Sequence, residues 1–217
     1  MMSAKPDGLS SVRCEVASCV EGSLGWRGDR KSSGGGVLLY PGLEMIDVLI
    51  EAAGLPEAVY AAARIDRPAA GDTVTPVHDT DDTAMALFHY GNRAIGHWFA
   101  TRTNGPAREE IELFSPAGRV CATASSLTEF DPVGQLIEQE TWNDTYGDAA
   151  CDQALQFARE VAAGNPASCP AGRMLLAHAT AEAMYLSCRT GRPESPRQQL
   201  QIHGLTLEQC IPTPSEE

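Results

Sequence analysis

Trp26-Arg27-Gly28-Asp29-Arg30-Lys31-Ser32-Ser33-Gly34-Gly35-Gly36-Val37-Leu38-Leu39-Tyr40-Pro41-Gly42-Leu43-Glu44-Met45-Ile46-Asp47 is the stretch that decides the fold. Three consecutive glycines, Gly34, Gly35 and Gly36, let the backbone take positive φ and come close to another backbone or a ligand. A short apolar run follows, then Pro41-Gly42, then Ile46, Leu49 and Ile50 at helical spacing. A glycine loop therefore feeds a helix over 42–53, stopped by Gly54 and Pro56. Such a junction can offer main-chain N–H groups, with the side chains of Arg27 and Lys31, to a bound molecule. A glycine-rich surface turn has the same local pattern.

Outward from this stretch, residues 12–20 and 58–65 read as strands. Residues 83–90 and 94–102 flank Gly91-Asn92, and 110–114 and 119–122 flank Ser115-Pro116-Ala117-Gly118, which gives two hairpins. Residues 136–142 form a further strand, and 66–77 is a Pro/Gly/Ala-rich connection. Apolar residues then recur at helical spacing over 150–163 and 173–188. One helix, several hairpin-linked strands and two late helices predict an α+β fold: a largely antiparallel open sheet with helices on one face. No G-x-G-x-x-G follows a strand, and no βαβ unit is visible.

The ordered set resembles the C-terminal domain of the Gfo/Idh/MocA family of NAD(P)-dependent oxidoreductases. There a Trp-Arg loop leads to a Ser-Gly-Gly-Gly turn and a segment G-G-G-x-L-x-D-x-G-x-H-x-x-D. Trp26-Arg27, Ser33, Gly34, Gly35, Gly36, Leu38, Gly42 and Asp47 match it. The family's first Asp falls on Tyr40, and its His, usually the acid/base, falls on Glu44. Gly54-Leu55-Pro56-Glu57-Ala58-Val59, Asp81-Asp82-Thr83-Ala84 and Ser187-Cys188-Arg189-Thr190-Gly191-Arg192 agree with later family segments. The resemblance implies a flexible N-terminus (1–11), one substrate-side and oligomerisation domain (12–192) and a C-terminal tail (193–217). It also implies that a Rossmann domain, which the family places first, is not in this chain.

The catalytic candidates are Glu44, Tyr40 and Asp47, and the ligand-binding candidates are Arg27, Lys31, Gly34, Gly35 and Gly36. Glu44 could serve as a general base, although a His titrates near neutral pH unaided and a Glu does not. Tyr40 could donate a proton. Asp47 follows Glu44 by about one helical turn. The family's catalytic Lys has no counterpart, because Lys5 of Ala4-Lys5-Pro6 lies too close to the first strand. His78-Asp79-Thr80-Asp81-Asp82 reads as a polar loop leading into a strand rather than a metal cluster, and His89 and His97 read as structural.

The net charge of −13 and the lack of a basic run argue against nucleic acid and anionic membrane as partners. No window approaches ~18 uninterrupted apolar residues. Seven cysteines are scattered without ligand spacing, so no metal site is expected and reduced thiols in the cytoplasm are. The resemblance implies self-association through the sheet, a small-molecule ligand and a separate Rossmann-domain polypeptide as partner. It implies no cofactor bound by this chain alone, with NAD(P) only if that domain is supplied. Three functions remain open: the substrate-side domain of an oxidoreductase, a non-catalytic ligand-binding or oligomerisation module, or a cofactor-independent lyase or isomerase using Glu44 and Tyr40.

Overall fold

The computed structural model describes residues 8–19, 24–65, 78–91, 93–165 and 171–210. The expected connection over 66–77, Lys5, Asn92, Cys169 and the last seven residues lie outside them. Eight strands form one sheet in the order β2-β3-β4-β1-β5-β6-β7-β8. They are β1 (Ser11–Ala17), β2 (Ala58–Arg64), β3 (Thr83–His89), β4 (Ile95–Thr101), β5 (Arg108–Ser115), β6 (Gly118–Thr123), β7 (Ser126–Phe130) and β8 (Leu136–Thr141). Only β1 and β4 pair in parallel; every other neighbour is antiparallel. A short 3-10 turn, Gly25–Gly28, precedes α1 (Arg30–Ser33) and α2 (Gly42–Ala53). Later helices are α3 (Tyr146–Ala163), α4 (Ala171–Thr190), α5 (Pro196–Ile202) and α6 (Leu207–Cys210). The fold is the α+β arrangement that the periodicities predict.

The period-two alternation of the strands sorts their side chains into two faces. On the inner face, Val12, Cys14 and Val16 of β1, Ala84, Ala86 and Phe88 of β3, and Trp98 and Ala100 of β4 are buried. Ile46, Leu49 and Ile50 of α2 and Leu176, Ala177, Ala181, Ala183 and Met184 of α4 close over them. Alanine dominates the buried side of α4, so this helix can lie close against β2 and α2. Removal of this apolar surface from water is the main stabilising term.

Among the described residues the helices that close over the core do so on the inner face, and the outer face keeps exposed side chains. Cross-strand registers run Met85–Phe99–Glu15 and Leu87–His97–Arg13 across β3, β4 and β1. This face is apolar over β2 to β4, with Tyr60, Met85, Leu87 and Ile95 exposed. Over β1, β5 and β6 it carries a lattice of ion pairs. Arg13 bridges Glu15 and Glu112, Arg119 meets Glu112, and Arg108 meets Glu15 and Glu110.

The expected tail from residue 193 needs correction. Val59 and Glu194 exchange both backbone hydrogen bonds, 2.8 and 2.9 Å, on the open side of β2. Ser187 adds its hydroxyl to Ala61 N–H at 2.9 Å. The Val59 N–H and C=O and the Ala61 N–H of this edge strand are thus satisfied rather than offered to another chain. Ser195-Pro196 then starts α5, which packs on α4 with Pro196, Gln199 and Leu200 buried. The physical reason is that the two stop signals, Gly191 and Pro193, end only α4, and an apolar residue four positions into α5 still finds core. If this stretch is part of the domain, Leu200→Ala should cost about 2–4 kcal/mol. Urea unfolding followed by circular dichroism measures it. A change below about 0.5 kcal/mol, as for an ordinary surface substitution, would return the segment to a tail.

Candidate functional site

The glycine loop takes its shape from a carboxylate distant in sequence. Asp81, 2% exposed, accepts from Gly36 N–H at 2.9 Å and from Leu38 N–H at 3.0 Å. The Tyr185 hydroxyl of α4 donates to the same carboxylate at 2.9 Å, and Arg30 reaches it at 3.4 Å. The Asp81 main-chain carbonyl accepts from Val37 N–H at 2.8 Å. Burial, and then the neighbouring Asp81 charge, push the Tyr185 phenol up from its usual range, so it stays a neutral donor.

The next residue faces the other way. Asp82 accepts from Arg102 Nε at 2.7 Å and contacts His78 Nε2 at 2.7 and 2.9 Å. Arg102 also donates to the Thr80 hydroxyl at 2.8 Å, which itself donates to the Arg27 carbonyl at 3.1 Å. Asp79 accepts from Arg30 N–H at 2.7 Å. The segment 78–82, read from sequence as a polar loop, is the floor on which the glycine loop and α1 rest.

This geometry gives the glycines a role within the protein's own packing. Gly34 ends α1 in the left-handed region at φ 80°, and its N–H returns to Arg30. A Cβ on Gly35 would collide with the Tyr185 hydroxyl, and one on Gly36 with the Asp81 backbone. The close approach that the glycines permit is therefore to the protein itself. The Gly36 and Leu38 amides that a ligand would use are already held by Asp81.

The remaining candidates lie around the start of α2. The Arg27 guanidinium sits 4.0 Å from the Tyr40 ring centroid and 5.4 Å from that of Trp26. Trp26 and Tyr40 are 64% and 52% exposed, and among the described residues the Arg27 side chain has no carboxylate partner. Lys31 is exposed as well. The Tyr40–Pro41 peptide is cis, and Glu44 stands exposed in the first turn of α2. Asp47 points elsewhere: both its oxygens accept from Arg173 of α4, each at 2.9 Å, and Glu51 joins the same guanidinium at 2.6 Å. That fork geometry makes Asp47 a clasp between α2 and α4. Sequence reasoning missed Asp81, Arg102 and Tyr185, whose partners lie too far along the chain for any local spacing to report.

Among the described residues, one group has carboxylate and thiol atoms within metal-binding reach of one another: Glu110, Glu112 and Cys121 on the outer face. Arg13, Arg108 and Arg119 already neutralise its two carboxylates. No helix among the described residues is long and apolar enough to cross a membrane.

The family model for the GFO/IDH/MocA C-terminal domain matches residues 9–121, which takes in the glycine loop, α2, the Asp81-Asp82 pair and the sheet through β5. The chain belongs to that family. No curated protein matches it. Solved structures match over most of its length. An oxidoreductase domain protein from Kribbella flavida is 17% identical with a TM-score of 0.74, covering 88% of this chain and 60% of its own. Levoglucosan dehydrogenase in complex with NADH and levoglucosan is 19% identical at TM-score 0.76, covering 88% and 59%. An oxidoreductase from Agrobacterium radiobacter, in complex with NAD+, L-tartaric acid and magnesium, is 14% identical at TM-score 0.69, covering 87% and 57%. At these identities the likeness is one of fold. The chain spans about three fifths of the length of each of these relatives.

Removal of the buried charge tests the floor. Asp81→Asn turns a donor toward the Gly36 and Leu38 amides and should cost about 3–5 kcal/mol. Tyr185→Phe should cost about 1–3 kcal/mol, with the two effects coupled by more than about 0.5 kcal/mol in a double-mutant cycle. Chemical denaturation of the four proteins gives these values. Additive, small effects would show that the loop holds its shape without Asp81.

Proposed function

We propose that this chain forms the substrate-side wall of an oxidoreductase-type site and an oligomerisation surface, and that it transfers no hydride by itself. The observation that carries the reading is Arg27, stacked on Tyr40 and, among the described residues, without a carboxylate partner, beside the α2 turn that bears Glu44. A cation held in one orientation by an aromatic ring can receive a polar or anionic ligand without paying again for its side-chain ordering. Glu44 stands where the resembling family keeps its acid/base histidine, so it is the group to accept or donate a proton there. Asp47 serves by fixing α2 against α4.

The residues present do not fit a dinucleotide. That cofactor needs a glycine turn between a parallel strand and a helix, with N–H groups open toward the pyrophosphate. Here the glycine-loop amides of Gly36 and Leu38 are taken by Asp81. The nucleotide half of the site, which the relatives solved with NADH or NAD+ contain, is proposed to come from a second polypeptide. Self-association is proposed through the outer sheet face at Tyr60, Met85, Leu87 and Ile95, next to the ion-pair lattice of β1, β5 and β6.

Calorimetric titration of the full chain with NADH and NADPH should give no saturable binding, and one-to-one binding at micromolar levels would overturn the reading. Ligand-detected magnetic resonance against a panel of polyols, sugars and sugar acids tests the wall itself. Binding should weaken by about tenfold or more in both Arg27→Ala and Glu44→Gln, with unfolding free energy changed by less than about 1 kcal/mol. Turnover of any of these compounds without nucleotide, lost in Glu44→Gln and in Tyr40→Phe, would instead favour the lyase or isomerase reading.

A further inference from the structure

The turn that presents Trp26 and Arg27 has no residue in the core. Neither the 3-10 turn Gly25–Gly28 nor α1 contains a buried residue, and no side chain caps the start of the 3-10 turn. Burial of apolar surface, the main source of order elsewhere in the fold, therefore contributes little here. Polar contacts with the segment 78–82 hold the turn instead. Asp79 N–H donates to the Gly28 carbonyl at 3.1 Å. The Arg30 N–H donates to the Asp79 carboxylate at 2.7 Å, and Arg30 Nε donates to the Asp79 carbonyl at 3.2 Å. One contact falls on Arg27 itself: the Thr80 hydroxyl donates to its main-chain carbonyl at 3.1 Å.

The direction of that bond is set by chemistry. Thr80 is 0% exposed, and a hydroxyl has one proton to give. Arg102 Nη2 stands 2.8 Å from the same oxygen, and a guanidinium can only donate. The hydroxyl accepts from Arg102, which leaves its proton for the Arg27 carbonyl. Arg102 is itself held fast. Its Nε donates to Asp82 at 2.7 Å, its main-chain N–H donates to the Asp82 carbonyl at 3.0 Å, and it is buried where β4 ends. A line of hydrogen bonds thus runs from the end of the sheet, through Thr80, to the backbone of the residue whose guanidinium lies 4.0 Å from the Tyr40 ring centroid. A buried polar network whose members are satisfied rigidifies what it touches.

We infer that Thr80 is a positioning residue for Arg27: its hydroxyl fixes the backbone from which the guanidinium reaches the Tyr40 ring. The functional side of this inference rests on the reading of Arg27 as the ligand-facing cation of the wall. Without the hydroxyl the core keeps its packing, but the turn opens more often and Arg27 leaves the ring with it. Valine keeps the shape of threonine and loses the bond, whereas serine keeps the bond.

Limited proteolysis of the full chain by trypsin reads the turn without a ligand. Cleavage after Arg27 needs the turn to open, and cleavage after Arg119 in β6 needs the sheet to open. Thr80→Val should speed the first about tenfold and leave the second within about twofold, while Thr80→Ser should stay within about twofold at both. Thr80→Ala, which cannot clash, repeats the test and should act as Thr80→Val does. Calorimetric titration with D-gluconate, a polyol bearing one carboxylate, reads the consequence for binding. Thr80→Val should weaken it about fivefold, Thr80→Ser should not, and in an Arg27→Ala background Thr80→Val should have no further effect. Unchanged cleavage after Arg27, equal acceleration at both sites, or a Thr80→Val effect on binding that survives in Arg27→Ala would each overturn the inference. Selective cleavage after Arg27 in a protein that binds no D-gluconate would uphold the role of Thr80 and count against Arg27 as the ligand-facing cation.

Discussion

The carboxylate of Asp81 is the constraint on which the site depends. A buried main-chain N–H with no acceptor costs about 1–3 kcal/mol, and the turn after the glycines would leave two of them, at Gly36 and Leu38. One side chain satisfies both, while Arg30 offsets its charge and the neutral Tyr185 hydroxyl donates to it. The turn can then place Val37 and Leu38 in the core and bring Tyr40 to the surface at the start of α2. Asp82, facing oppositely, ties the same dipeptide to Arg102 at the end of β4. Loop, helix and sheet therefore share one anchor. The arrangement has the form of an anion-binding nest whose anion is covalently part of the protein.

Much of the fold was legible because its signals are local. Pro41-Gly42 and Gly54 bound α2 as read, and the two hairpins follow their turn residues. β7 was missed because Ala124-Ser125, between it and β6, carries neither Gly nor Pro to mark a turn. α5 was missed although Ser195-Pro196 is a recognisable start, because Gly191 and Pro193 just before it suggested that order had ended. The first strand ends at Ala17 rather than at residue 20.

The candidate site was legible in part. The residues at the head of α2 and the Trp26-Arg27 pair were found by pattern, but their relations were not. Asp81 reaches Gly36 across 45 positions and Tyr185 across 104, and no periodicity reports such a contact. For the same reason the spacing of Glu44 and Asp47 suggested a pair, whereas Arg173, 126 positions on, draws Asp47 toward α4. The glycines are a place of close approach, with Tyr185 against Gly35 and the Asp81 backbone against Gly36.

The position of β1 has a consequence for how the chain comes to be folded. This strand lies in the middle of the sheet, parallel to β4 on one side and antiparallel to β5 on the other, yet β2 and β3 lie between it and both of them in the sequence. On the ribosome it emerges before β4 and β5 and lacks both of its sheet neighbours until they have been made. At ordinary translation rates that interval is on the order of 5–20 s. During it, the alternating Val12, Cys14 and Val16 stand exposed on an unpaired strand. Non-local closure of this kind makes folding slow. It also leaves the centre of the sheet, rather than its edges, as the part of the nascent chain most in need of protection by chaperones.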